Sequence, residues 1–154
     1  MEVVSYEQIR ALVSPFVKTG QSYSLPVPVL AADGRIYDKV FLYSMNRAEG
    51  RPYPPSALLV VDLDGAAVGE VAAKDAFPDV QWCPSGGYSG GRYKELAAQA
   101  KTIYGPVREE VEGGALGESA KLYGRLLAEI TPRCLLPYYR ALSLDLFTLA
   151  ERGE

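Results

Sequence analysis

The chain has 154 residues, of which 48% are hydrophobic and 23% are charged, and its formal net charge at pH 7 is −3. These values are typical of a single globular domain and exclude an intrinsically disordered or fibrous protein. They also argue against nucleic-acid binding, because phosphate neutralisation supplies most of that affinity and the chain has no basic cluster. We therefore expect one domain that spans residues 1–154.

The segments that could direct the chain to a membrane or out of the cell lack the required pattern. The first ten residues, MEVVSYEQIR, have neither the basic start nor the apolar run of a signal peptide. The most apolar stretch, residues 134–150, contains Pro137, Arg140 and Asp145 and falls short of the roughly 20 apolar residues of a membrane span. A cytoplasmic protein that does not associate with membranes is expected.

The N-terminal region carries a helix signal. Ser5 and Gln8 have the spacing of a capping box, and apolar residues then recur at helical spacing. This pattern predicts a helix from about residue 6 to residue 17, which Pro15 should stop or bend near Val13.

Four strands are predicted next. Apolar residues alternate from Tyr23 to Val29, and Pro26 and Pro28 remove N–H donors from one edge, so this strand should lie at the border of a sheet. An Asp33-Gly34 turn leads into a second strand over residues 36–45. Residues 57–63 and 66–73 then predict a further hairpin around a two-residue Asp64-Gly65 turn. Together these strands form a four-stranded antiparallel meander.

The C-terminal half is predicted to be helical. A helix begins near Arg92, should break or kink at Gly105-Pro106, and ends at residues 113–114. A second helix is limited by Pro132, and a third runs from about residue 137 to residue 150 and is apolar around much of its circumference. The order predicts an α+β fold, with the N-terminal helix and about three C-terminal helices packed on one sheet face.

Residues 87–91 read Gly-Tyr-Ser-Gly-Gly and match the G-x-S-x-G pattern of a hydrolase nucleophile elbow around Ser89. A serine nucleophile needs a neighbouring base, most often histidine, and this chain contains no histidine. The segment before Ser89 is also a poor strand. We therefore predict no catalytic residue here, and an unreactive thiol at the nearby Cys83, while a disulfide between Cys83 and Cys134 stays open.

The same loop allows a weaker interpretation as an anion site. Arg92 and Tyr93 stand where a phosphate-binding P-loop requires lysine and a Ser or Thr hydroxyl, so that motif is incomplete. Glycine N–H groups at the start of a helix could still attract a small anion. The tentative ligand-binding residues are Gly86, Gly87, Ser89, Gly90, Gly91 and Arg92.

Two carboxylates, Asp62 and Asp64, begin a pattern that resembles a calcium loop, but its third acidic position and closing glutamate are missing. A hairpin turn accounts for both residues. Zinc lacks its usual ligands in a chain with no histidine and two distant cysteines. We predict no metal site and no cofactor.

The connection from residue 46 to residue 56 is the candidate partner-binding loop. It is longer than a structural connection needs, and it holds Tyr53 between prolines with Arg47 and Arg51 nearby. Eleven tyrosines are present in all, and Tyr23, Tyr37, Tyr43 and Tyr53, in or beside the meander, suit either the edge of a core or an open recognition face.

Two hypotheses on function follow. The first is a non-catalytic binding or adaptor domain that recognises a protein or a second copy of itself, with a homodimer formed through the apolar C-terminal helix. The second is a small-ligand domain, or an enzyme, whose site lies at residues 85–92 and takes an anion or a carboxylate.

Overall fold

A computed structural model describes residues 4–46, 51–52, 55–80, 92–133 and 135–152. The fold is α+β, as the sequence predicts, with an N-terminal helix, an antiparallel sheet and C-terminal helices. The strands are β1 (Gln21–Tyr23), β2 (Val27–Leu30), β3 (Ile36–Asn46), β4 (Arg51–Pro52), β5 (Ala57–Asp62) and β6 (Ala67–Ala72). The helices are α1 (Tyr6–Val13), α2 (Ala73–Ala76), α3 (Tyr93–Gly113), α4 (Glu118–Ile130), α5 (Leu136–Leu142) and α6 (Leu144–Arg152).

Helix α1 begins at the predicted capping box. The Gln8 side chain accepts a hydrogen bond from the Ser5 N–H at 2.7 Å, and the Ser5 hydroxyl accepts one from the Gln8 N–H at 3.4 Å. The helix ends at Val13, and a single 3-10 turn follows over Ser14–Phe16. The predicted stop near Val13 is confirmed, because Pro15 cannot continue the hydrogen-bond pattern of an α-helix.

The central strand of the sheet is β3. Strands β1 and β2 both pair antiparallel with it, β5 pairs with it as well, and β6 pairs with β5. The predicted position of Tyr23–Val29 at the border is confirmed, but the prediction of one unbroken strand there is wrong. Between β1 and β2 the chain leaves the ladder, and the Leu25 and Pro26 carbonyls accept hydrogen bonds from the tyrosine hydroxyls of Tyr139 and Tyr123, at 3.0 and 2.6 Å.

The first hairpin has a loop of residues 31–35 between Leu30 and its partner Ile36, and Gly34 takes the positive φ of 81° that its turn requires. The second hairpin differs from the prediction. Asp62 pairs with Ala67, so the loop spans residues 63–66, and the positive φ lies at Ala66. The Asp62 carboxylate accepts a hydrogen bond from the Gly65 N–H at 3.3 Å, which shapes a longer turn than the predicted two-residue one.

Two short elements were not expected. The segment predicted as a loop over residues 46–56 contains β4, which pairs with the end of β3 through Met45 opposite Pro52 and Asn46 opposite Arg51. Helix α2 follows β6 directly and ends just before Phe77. Both elements are too short to produce a periodic sequence signal.

Helix α3 continues through Gly105-Pro106, so the predicted break does not occur there. Pro106 is exposed, and so is Thr102, whose carbonyl loses its usual helical partner at this point. Water can therefore satisfy that carbonyl at little cost. The predicted end of the helix is confirmed, with Gly114 as a left-handed C-cap.

The predicted last helix is two helices, so the described residues after α2 form four helices rather than about three. The chain leaves the helical conformation at Ser143, with φ −149° and ψ 79°, between α5 and α6. Serine favours the N-cap position, and Asp145 then falls in the first turn of α6, where a negative charge is favourable. This pair is the sequence signal for the break.

Helices and aromatic side chains reach both sides of the sheet. Alternation along β3 places Asp38 and Phe41 on opposite faces. Asp38 contacts Arg108 of α3, whereas Phe41 packs edge-on against Tyr138 and Tyr139 of α5, at ring-centroid distances of 5.7 and 5.3 Å. Buried side chains on both faces belong to one hydrophobic cluster.

Candidate functional site

Of the predicted ligand-binding residues, Arg92 is described; Gly86, Gly87, Ser89, Gly90 and Gly91 lie outside the described residues. Arg92 is the N-cap of α3, its side chain is 72% exposed, and its guanidinium lies 3.7 Å from the Glu129 carboxylate. Cys83 and Cys134 also lie outside the described residues. Of the predicted partner-binding residues, Arg51 begins β4, and Arg47 and Tyr53 fall outside the described part.

A groove with a volume of about 360 Å³ opens where α1, β1, β3 and α3 meet. We call it the tyrosine groove, because four of its walls are tyrosine side chains. Its lining residues are Tyr6, Val17, Gln21, Ser22, Tyr23, Leu25, Tyr43, Tyr93 and Lys101.

The helical wall of the groove comes from one face of α3. Tyr93 and Lys101 are eight positions apart, close to two helical turns, so both point to the same side. The Lys101 ammonium lies 4.9 Å from the centroid of the Tyr6 ring, within the range of a cation–π contact. At 1.5 Å per residue, this wall is about 12 Å long.

The opposite wall follows the border of the sheet. Successive side chains of a strand point to opposite faces, yet Gln21, Ser22 and Tyr23 are consecutive and all line the groove. A groove in contact with three consecutive strand residues must run along the strand's edge. Strand β1 pairs with β3 on its other side, so its outer edge faces the groove.

The Tyr6 phenol, one of the four that line the groove, stays uncharged at neutral pH. Burial raises the pKa of Tyr6, and its side-chain hydrogen bond with Tyr23 raises that pKa further. This hydroxyl can donate and accept hydrogen bonds, but it forms almost no phenolate at neutral pH and so cannot act as a base there. The arrangement suits recognition better than proton transfer.

A smaller cavity of about 20 Å³ adjoins the tyrosine groove and shares Leu25, Tyr43 and Tyr93 with it. This volume suffices for one water molecule. Its other polar walls include Ser24 and Thr131. The cavity offers a place for one neutral polar atom beside the groove.

The carboxylates considered for calcium have protein partners. Arg35 contacts both Asp62 oxygens, at 2.8 and 2.6 Å, and lies 3.8 Å from Asp64. Within the described ranges, His, Cys, Asp and Glu side chains do not assemble into any group of three that could hold a metal ion. The ion pair between Asp62 and Arg35 therefore links the two hairpin loops.

A buried ion pair went unnoticed in the sequence. Asp38 is fully buried, and the Arg108 Nε lies 3.2 Å from its Oδ1 and 3.1 Å from its Oδ2, with hydrogen-bond geometry to Oδ1 alone. Oδ2 and the Tyr104 hydroxyl are buried and form no hydrogen bond with any residue that the structure describes. Burial raises the pKa of Asp38 to about 7, against the opposing effect of Arg108. The pair joins β3 to α3 and does not line the tyrosine groove.

The predicted apolar C-terminal helix borders a second groove of about 360 Å³ between the end of β2 and the α5–α6 junction. Two exposed apolar residues lie there, Leu30 at 41% and Leu144 at 68% exposure. We call this surface the leucine groove.

Comparison of the chain with protein-family models, with curated proteins and with solved structures finds no match in any of the three. Across the part of the chain that the structure describes, every helix is too short or too polar to cross a bilayer.

Proposed function

We propose that this chain is a non-catalytic recognition domain that binds an extended segment of a partner protein in the tyrosine groove. The observation that carries the proposal is the position of the groove. Three consecutive residues of the border strand β1 form one wall, and tyrosines from α1, β3 and α3 form the others.

Such a groove matches a known mode of peptide recognition. An extended peptide can add to an exposed sheet edge, where backbone groups supply affinity and side-chain pockets supply specificity. Tyrosine offers a large contact area at small entropic cost, together with a hydroxyl for hydrogen bonding. The wall of about 12 Å along α3 accommodates roughly three or four extended residues.

The border also limits how the segment can bind. Pro26 and Pro28 interrupt the line of N–H donors beyond β1. Indefinite pairing between copies of the chain is therefore disfavoured, since short strands and prolines protect sheet edges. A short segment with side chains that fit between tyrosines is the favoured occupant.

The chemistry of the groove supports binding rather than catalysis. The whole chain lacks histidine, the usual base at neutral pH. Among the residues that the structure describes, the lining residues with ionisable side chains are four tyrosines and Lys101. They supply aromatic faces, hydroxyls and one positive charge.

A selection from a phage-displayed library of random heptapeptides tests the proposal. Wild-type protein should enrich a consensus, and Tyr93→Ala and Tyr23→Ala should each weaken binding of the best synthetic peptide about tenfold or more, as for aromatic residues at the centre of an interface. Fluorescence anisotropy measures the Kd, and circular dichroism checks that each variant is folded.

Tyr37→Ala is the matched control, because Tyr37 lies on the same sheet but hydrogen-bonds Asp33 at the first hairpin. Ser22→Trp should obstruct the groove without removing a packed side chain, since Ser22 is exposed. Peptides that bind Ser22→Trp and both tyrosine variants as tightly as they bind wild type would refute the proposal, as would a failure to enrich any consensus.

A further inference from the structure

We infer that the segment bound in the tyrosine groove is acidic, with a carboxylate that pairs with Lys101. The inference rests on the proposed function and adds the charge of the partner segment to it. Among the described residues that line the groove, Lys101 is the one that is charged at neutral pH.

The Lys101 ammonium is available to a ligand. Its contact is the face of the Tyr6 ring at 4.9 Å, and within the described part of the chain no carboxylate lies within ion-pair distance of it. A cation held over an aromatic ring keeps donors free for a second partner. A carboxylate in the groove could accept hydrogen bonds from the Lys101 ammonium.

The charged residues near the groove also bear on whether a negatively charged ligand fits there. Arg10 lies one turn after Tyr6 on α1, and its charge acts on the Tyr6 hydroxyl. Its ion pair with Glu7, at 3.5 Å, is exposed on both sides, so water screens it strongly. Arg92, which directly precedes Tyr93, pairs with Glu129 at 3.7 Å, and both side chains are exposed, so water screens that pair as well. Lys101 is thus the lining cation that has no carboxylate partner among the described residues, and a carboxylate of an acidic segment would supply one.

Parallel peptide selections on charge variants test the inference. Wild-type protein, Lys101→Glu and Lys94→Glu serve as baits for the same random heptapeptide library. Lys94 is the matched control, because it is an exposed lysine of α3 that does not line the groove. We expect Asp and Glu to be enriched at one consensus position on wild type and on Lys94→Glu, and Lys or Arg to be enriched there on Lys101→Glu.

The best acidic peptide then allows a quantitative check. Lys101→Gln should weaken its binding about fivefold, as expected for a partly exposed ion pair. The same substitution should leave the Kd of a peptide with Gln in place of the acid unchanged.

The outcomes separate the two proposals. A consensus that depends on Tyr93 but shows no acidic preference, or one that Lys101→Glu retains unchanged, would overturn the inference and leave the peptide-binding function standing. Failure of wild-type protein to enrich any consensus would overturn both.

Discussion

At the residue scale, the least expected feature is the buried Asp38. Its carboxylate bridges the sheet to α3 through Arg108, yet one of its oxygens has no hydrogen-bond partner in the described part of the chain. Burial of a carboxylate with a single charged partner disfavours the ionised form, and its pKa rises to about 7. Protonation of Asp38 should therefore stabilise the fold.

Substitution Asp38→Asn tests this assignment. A carboxyl whose pKa is raised from 3.8 to about 7 on folding binds its proton more tightly in the folded state. Its contribution to the free energy of unfolding is fully present below about pH 4 and is lost as the pH rises through 7. Between about pH 4 and pH 7, the free energy of unfolding of wild type should fall by on the order of a few kcal/mol relative to that of Asp38→Asn. Urea unfolding at several pH values measures this difference.

Asp64→Asn serves as the control for that experiment, because the Asp64 side chain is 84% exposed. Its pH profile should run parallel to that of wild type. If the difference between wild type and Asp38→Asn stayed constant from pH 4 to pH 8, Asp38 would not titrate as its burial requires.

Prediction from sequence has a clear limit at this scale. Strand β3 was recognisable from its β-branched and aromatic residues, but the sequence leaves open which face of the strand meets a helix. Asp38 is an ordinary polar position if its face is solvated and a buried charge if α3 covers it. The contact with Arg108 of α3 shows that Asp38 is a buried charge. No local sequence pattern identifies that distant partner.

At the element scale, the start of α4 depends on a side chain from α3. The N-cap residue Gly117 has no side chain to cap the helix, and the Glu110 carboxylate accepts hydrogen bonds from the Ser119 and Ala120 N–H groups, at 3.1 and 2.9 Å. A Cβ on Gly117 would lie 2.5 Å from Glu110 Oε1. The glycine therefore leaves room for the carboxylate.

Glu110→Ala should lower the free energy of unfolding by about 1–2 kcal/mol, because two helix N–H groups lose their acceptor. Urea denaturation measures the change, and Glu112→Ala is the control, since Glu112 is exposed on the same helix. Gly117→Ala should lower the free energy of unfolding less in the Glu110→Ala background than in wild type, because both substitutions disrupt the same contact of the Glu110 carboxylate. Strict additivity of the two changes would contradict the capping role.

Element boundaries were predictable where a residue constrains the backbone of its own sequence neighbours. The capping box before α1, Pro132 after α4 and Gly114 after α3 all belong to this class. The break between β1 and β2 was not predictable, because the hydroxyls that donate hydrogen bonds to its carbonyls belong to Tyr123 and Tyr139, far along the chain. The division at Ser143 was readable in principle, since a serine N-cap precedes an acidic first turn.

At the scale of the whole molecule, the candidate site consists of residues that are widely spaced in the sequence. The high tyrosine content indicated a recognition surface or a core edge, but no local pattern shows that Tyr6, Tyr23, Tyr43 and Tyr93 converge. Tyr37, on the same strand as Tyr43, lies elsewhere and bonds Asp33. The fold alone decides which tyrosines share the groove.

The most direct test of the binding account is amide hydrogen exchange of the protein with and without the best peptide from the selection. The account predicts slower exchange in β1 and in the first turns of α3, the two walls of the tyrosine groove. Protection confined to the leucine groove, around Leu30 and the α5–α6 junction, would contradict it and move the binding surface there.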